Sequence, residues 1–342
     1  MAKNKIMLVG EAYGEHEERE QRPFAGSSGW LLRGMLSQVG ISYDECYVTN
    51  VFNLRPKPGN DIKNICGAKA DGIPGLPALQ KGKHVLARYS PELDRLFEEI
   101  TREQPNLIIA LGATPAWALL RSSGIKAVRG ATIPTHPAVS ERLRREFKVL
   151  PTYHPATISR EWSLRPVGLS DLAKAKEEAE FPEVKRPQRF ILIEPTLQDL
   201  AEYEERIFAS EQLSIDIEPK GDQITCIGFA PSTDHAIVIP FWSASALSGN
   251  YWKTLEEELI AWDYVRRWCS ARSSVFQNGL YDIHFLWRRY GITCQQAEHD
   301  TMLLHHAMQP EMEKGLGFLA TLYTNEASWK FMARVGTSKK AD

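Results

Sequence analysis

The sequence predicts an α/β protein of two tandem domains, the first a three-layer sandwich around a mostly parallel sheet, the second built on a mixed sheet. Three observations predict it. The 342 residues exceed the roughly 100–200 that one domain holds. Short apolar strands, several ending in glycine, alternate with stretches of helical periodicity. Residues 181–189, FPEVKRPQR, combine two prolines with clustered charge and read as a linker, which gives domains at 1–180 and 190–342.

In order, residues 5–9 form an apolar strand that runs into Gly10. Periodicity over 30–39 predicts a helix, and 45–51 a second strand. Residues 55–83, rich in Pro, Gly and Lys, read as a long loop, a kind that is usually functional. A helix over 91–99 precedes a buried strand at 106–111, which ends at Gly112. Thr114 then reads as the cap of a helix with Pro115 at its first position. A strand at 148–151 ends at Tyr153-His154-Pro155. In the second domain, 213–217 is a strand, 224–229 and 235–240 suggest an antiparallel pair, and three helical stretches follow.

Charge is balanced, 41 Lys and Arg against 43 Asp and Glu, so a nucleic-acid site would have to be a local basic groove. The five cysteines, Cys46, Cys66, Cys226, Cys269 and Cys294, include no C-x-x-C pair, which argues against a disulfide framework and fits a reducing cytoplasm. No apolar stretch approaches membrane-span length, so no membrane partner is expected.

Four polar signatures fall at the carboxyl ends of first-domain strands, where ligands of open α/β sheets sit. They are Gly10-Glu11-Ala12-Tyr13-Gly14 followed by Arg22-Pro23-Phe24-Ala25-Gly26, then Thr49-Asn50, Leu111-Gly112-Ala113-Thr114, and Tyr153-His154-Pro155-Ala156. Over residues 5–165 this set resembles the uracil-DNA glycosylase superfamily, most closely its family-four type. The resemblance implies a pocket for an extruded base. Phe24 would stack on uracil, Asn50 would read its edge, and His154 would donate to its oxygen as charge develops. Glu11, with Glu17 as second candidate, would position water or stabilise the sugar cation, while Gly10 and Gly14 let the backbone come close. Tyr13 replaces the proline of the family's motif. The family-four iron–sulfur cluster needs four cysteines and this half has Cys46 and Cys66, so no cluster is expected.

Asp216 and Glu218 lie two apart on a strand and so share a face, which is costly unless a cation neutralises them. Phe276-Gln277-Asn278-Gly279-Leu280-Tyr281-Asp282 closes a strand and opens a helix. Together these resemble the D-x-E and N-x-x-F/Y-D motifs of the 3′–5′ proofreading exonuclease domain of phage-type family A DNA polymerases, over residues 190–330. The resemblance implies a ribonuclease H-like fold and two Mg2+ or Mn2+ ions. Asp216 would bridge the metals, Glu218 and Asp282 would each hold one, and Asn278 would orient the terminal nucleotide of the DNA. Asp300 reads as a helix cap. The third motif, Y-x-x-x-D, belongs after the helix over 315–323, yet Tyr323 is followed by no aspartate at that spacing, so the exonuclease is expected to be incomplete. The implied whole is the N-terminal part of a phage-like polymerase, acting on single-stranded or primer-terminus DNA in a bacterial or phage-infected cytoplasm, with the polymerase domain in cis or in trans. A stand-alone bifunctional repair enzyme and a catalytically silent DNA-binding accessory module stay open beside it.

Overall fold

The structure is a computed structural model that describes residues 5–122 and 124–326. Two compact units emerge, each an α/β domain: residues 186–316 form one, and the remainder of the described chain, 5–185 with 317–326, forms the other.

The first unit contains β1 (Ile6–Ala12), α1 (Glu15–Glu20), α2 (Ser27–Gln38), β2 (Tyr47–Phe52), β3 (Cys66–Gly67), β4 (His84–Val85), α3 (Ser90–Glu103), β5 (Leu107–Leu111), α4 (Ala113–Leu120), β6 (Ile133–Pro134), α5 (Pro137–Leu143), β7 (Lys148–Thr152), α6 (Pro155–Arg160) and α7 (Arg165–Glu178). The main sheet runs β2-β1-β5-β7-β6, parallel except for the edge strand β6. Every residue of β5 and β7 is buried, as a strand covered on both faces requires. Met7 and Val9 of β1 pack with Leu93, Leu96 and Phe97 of α3 and with Trp117 of α4. The helices α2, α6 and α7 meet at Gly168, where a Cβ would press on Ile158 and Met35 at 2.8 and 2.9 Å.

Residues 55–83 are more ordered than their composition suggests. Ile62, Ile65, Leu76 and Leu79 are buried in the core at irregular spacings, β3 pairs with β4, and Trp117 Nε1 donates to the Pro77 carbonyl at 2.8 Å. Helix α4 begins at Ala113 with Gly112 as its cap, not at Thr114. Gly112 has φ +101°, which only glycine takes up without strain, and Thr114 is thereby free for the site.

The second unit holds β8 (Phe190–Leu192), α8 (Leu197–Ala209), β9 (Gln212–Lys220), β10 (Gln223–Ala230), β11 (His235–Pro240), α9 (Leu255–Cys269), β12 (Ser273–Phe276), α10 (Leu280–Tyr290), β13 (Ala297–Asp300) and α11 (Thr301–Met308). Its sheet order is β13-β12-β9-β10-β11-β8. Strands β9, β10 and β11 form an antiparallel meander, whereas β12 and β13 add parallel to β9. Setting aside the extra edge strand β8, this is the ribonuclease H-like order, a mixed sheet as expected.

The following helix, α12 (Leu316–Tyr323), was assigned by sequence to the second domain, but it packs in the first unit. Polar groups fix it there. Arg129 pairs with Asp171 at 2.5 Å and donates to Thr321 Oγ1 at 2.9 Å, and Ser170 donates to the Leu322 carbonyl at 3.1 Å. Lys174 Nζ bridges the carbonyls of Gly130, Thr321 and Thr324. The residues from 327 onward, where the third exonuclease motif was sought, lie outside the described residues.

Candidate active sites

The carboxyl ends of β1, β2, β5 and β7 bring the four first-domain signatures to one place. Parallel pairing sets Gly10 of β1 opposite Asn50 of β2. A Cβ on Gly10 would collide with Asn50 Oδ1 and come within 2.6 Å of Phe24 Cζ, so three distant segments converge on that glycine. Phe24 is buried at φ +52°, and its ring stacks towards His154 with centroids 5.8 Å apart and planes 25° from parallel. Asn50 is 2 % exposed, and its Nδ2 has no hydrogen-bond partner in the structure. An unmet buried donor costs about 1–3 kcal/mol, which a ligand carbonyl would recover.

His154 caps α6, and its Nδ1 accepts from the Ala156 N–H at 3.1 Å. The ring proton therefore sits on Nε2 in the neutral form. Burial pushes the His154 pKa down to about 4, helped by the nearby Arg160 charge, so the ring is a neutral donor at pH 7. Glu11, at the end of β1, accepts from the Thr114 hydroxyl. Burial raises the Glu11 carboxyl above its ordinary range, and the Thr114 bond opposes that rise.

Glu17 is buried, with both oxygens engaged by backbone: Oε2 by Gly14 N at 3.1 Å and Oε1 by Gly26 N at 2.8 Å. It ties the GEAYG loop to the loop that carries Phe24. Gly14 has no room for a Cβ against Glu17 Oε2, at 2.6 Å. Tyr13 is also buried, and its N–H donates to the Leu54 carbonyl.

Arg95 has no sequence signal. From α3 it donates to the carbonyls of Asn50 and Val51 and to Thr49 Oγ1, and it pairs with Glu92 and Glu99. It anchors the strand end that presents Asn50.

The profile described as "Uracil DNA glycosylase superfamily" matches residues 2–180 of this chain. The chain belongs to the uracil-DNA glycosylase superfamily. The type-4 uracil-DNA glycosylase of Sulfurisphaera tokodaii is 31 % identical over 186 residues, covering 53 % of this chain and 72 % of that protein. That of Thermotoga maritima is 31 % identical over 180 residues, covering 50 % and 76 %. Among solved structures, Escherichia coli RNase D, an exoribonuclease, is similar at TM-score 0.32 and 15 % identity; the match covers 46 % of this chain but only 39 % of RNase D. The Nibbler EXO domain of Aedes aegypti gives TM-score 0.30 at 11 % identity, covering 44 % and 78 %. For this member of the superfamily, the cysteines of residues 5–185 do not suit a four-thiolate cluster. They are Cys46 and Cys66, whose Sγ atoms donate to the carbonyls of Ser42 and Ile62.

In the second unit, Leu213, Ile215 and Ile217 of β9 point into the core, while Asp216 and Glu218 lie on the exposed face. Strand β12 pairs with β9 only as far as Ser214, which leaves the Ile217 N–H available to donate to Asp282 Oδ1 at 3.2 Å. The pKa of Asp282 is raised to about 6, by burial first and then by the charges of Asp216 and Asp300. Asp300 caps α11 and also accepts from the N–H groups of Asn278 and Gly279. It thus shapes the turn that carries Asn278, which is exposed at φ +62°. Oxygen donors of this kind suit a hard divalent cation. Among the described residues, however, no three His, Cys, Asp or Glu side chains gather into a metal-holding group.

Proposed function

We propose that the first domain excises uracil from DNA by hydrolysing its N-glycosidic bond. The observation that carries this reading is the unpaired Nδ2 of buried Asn50, whose side chain meets the Phe24 ring at Gly10 while that ring stacks towards His154. The Asn50 amide has both a donor and an acceptor for the uracil edge, and Phe24 supplies the stacking face. As the bond breaks, negative charge moves onto the base, and neutral His154 donates through Nε2 to the oxygen that receives it. Glu11 stabilises the cationic sugar and orients water, while Glu17 holds the two loops in register. The homology to type-4 uracil-DNA glycosylases supports the same activity.

The test is a labelled uracil-containing strand incubated without divalent metal. Alkali-labile sites should appear at uracil and vanish in His154→Ala. Their absence with the parent protein overturns the reading.

We infer for the second domain a 3′–5′ exonuclease-type role on DNA, supported by its strand order, by the shared exposed face of Asp216 and Glu218 on β9, and by the bond that ties Asp282 to the same strand at Ile217. These residues would hold Mg2+ or Mn2+, which when bound supplies Lewis acidity to the scissile phosphate, and Asn278 would orient the terminal nucleotide. The D-x-E and N-x-x-Y-D motifs support a place beside a DNA polymerase, in cis or in trans. With an incomplete motif set, magnesium-dependent trimming from the 3′ end should be weak or absent, and robust trimming that survives Asp216→Asn refutes the assignment.

A further inference from the structure

The mouth of the first-domain pocket has two exposed groups that base recognition leaves unused. Trp30, in the first turn of α2, is 75 % exposed. One residue before it, the Gly29 backbone lies against the Phe24 carbonyl so closely that a Cβ would collide with it. Arg33, on the same helix face, donates to that carbonyl at 3.1 Å. Trp30 therefore stands on the Phe24 side of the pocket. Arg160 ends α6, the helix that His154 caps and that packs against α2. Side chains on a helix lean towards its N-terminus, and the Arg160 charge acts on both Glu11 and His154. Arg160 is exposed, with no hydrogen bond or ion pair to any described residue. Trp162, 59 % exposed, follows with the Arg165 guanidinium 5.2 Å from its ring, and Glu161 is the one acid between them.

An exposed indole and an uncompensated cation on two packed helices that also carry the Phe24 contact and the His154 cap match an unpaired strand, which offers bare bases for stacking and phosphates for charge. We propose that Trp30 stacks on a base beside the extruded nucleotide while Arg160 neutralises an adjacent phosphate, making single-stranded DNA the preferred substrate of this domain. The proposal rests on the base-excision reading of the pocket, and strand binding can be measured apart from it.

The test is fluorescence anisotropy of the full chain with a labelled uracil-free strand and with its duplex, at several salt concentrations. The parent should bind the single strand more tightly. Trp30→Ala should weaken single-strand binding about tenfold and duplex binding less than twofold. Trp30→Phe, which keeps a stacking face, should stay within about threefold of the parent. Arg160→Gln should weaken binding and lower the slope of log affinity against log salt by about 0.7. A parent that prefers duplex, or a Trp30→Ala protein with parental single-strand affinity, overturns the proposal. Strand binding without uracil release would instead sink the excision reading and leave this one standing.

Discussion

The Thr114 hydroxyl donates to the Glu11 carboxylate across 103 residues of sequence, joining the first turn of α4 to the end of β1. This bond stabilises the ionised acid in a site whose burial disfavours it. Replacing Thr114 with Val should raise the Glu11 pKa further, so the acid limb of kcat/KM for uracil release should move to higher pH. Thr114→Ser keeps the hydroxyl and should restore the parental profile. An unmoved limb in the Val variant would remove Glu11 from the titrating machinery.

His154 titrates at about 4 in the folded protein, below its ordinary 6.5. Between those values the unfolded chain binds more protons than the folded one, so this group destabilises the fold as pH falls from 6.5 towards 4. The loss amounts to at most about 3 kcal/mol. NMR of the imidazole should show no protonation at pH 6, and His154→Gln should flatten the decline of stability over that window.

Gly10→Ala places a methyl group where Asn50 Oδ1 and the Phe24 ring already are. Uracil release should fall by two orders of magnitude or more, on the scale of about 3 kcal/mol of lost transition-state stabilisation. Because strand pairing at β1 needs only backbone, the far-UV spectrum should be unchanged.

Glu17→Ala leaves the buried N–H groups of Gly14 and Gly26 without acceptors. The expected loss is about 2 kcal/mol of stability, read as a lower midpoint in urea, together with reduced activity. Were Glu17 instead the residue that orients water, Glu17→Gln would abolish activity at parental stability.

Arg129 and Asp171 form a buried pair that also binds Thr152 and Thr321. Asp171→Ala should destabilise by about 3–5 kcal/mol, because it strands a guanidinium that is 2 % exposed. Replacing both partners with apolar residues should recover part of that loss, a difference that a double-mutant cycle measures.

The elements that could be read from sequence were those with short-range signals. The buried strands at 107–111 and 148–152 follow from continuous apolar runs, and β9 from strict alternation. The role of Asp300 as a cap follows from residue type and position. Arg95, by contrast, reaches Asn50 over 45 residues and leaves no periodic trace. The loop over 55–83 buries its apolar residues at spacings that match neither a helix nor a strand, so its order is invisible to pattern reading.

By itself, the sequence determined two α/β domains, the strand-end placement of Gly10, Asn50 and His154, and the shared face of Asp216 and Glu218, all consequences of local periodicity and chain geometry. Tertiary structure alone decided that Glu17 clamps two loops, that Thr114 serves Glu11 rather than capping its helix, and that α12 returns to the first unit. Those outcomes depend on which buried polar groups find partners, and the partners lie in segments that only folding brings together.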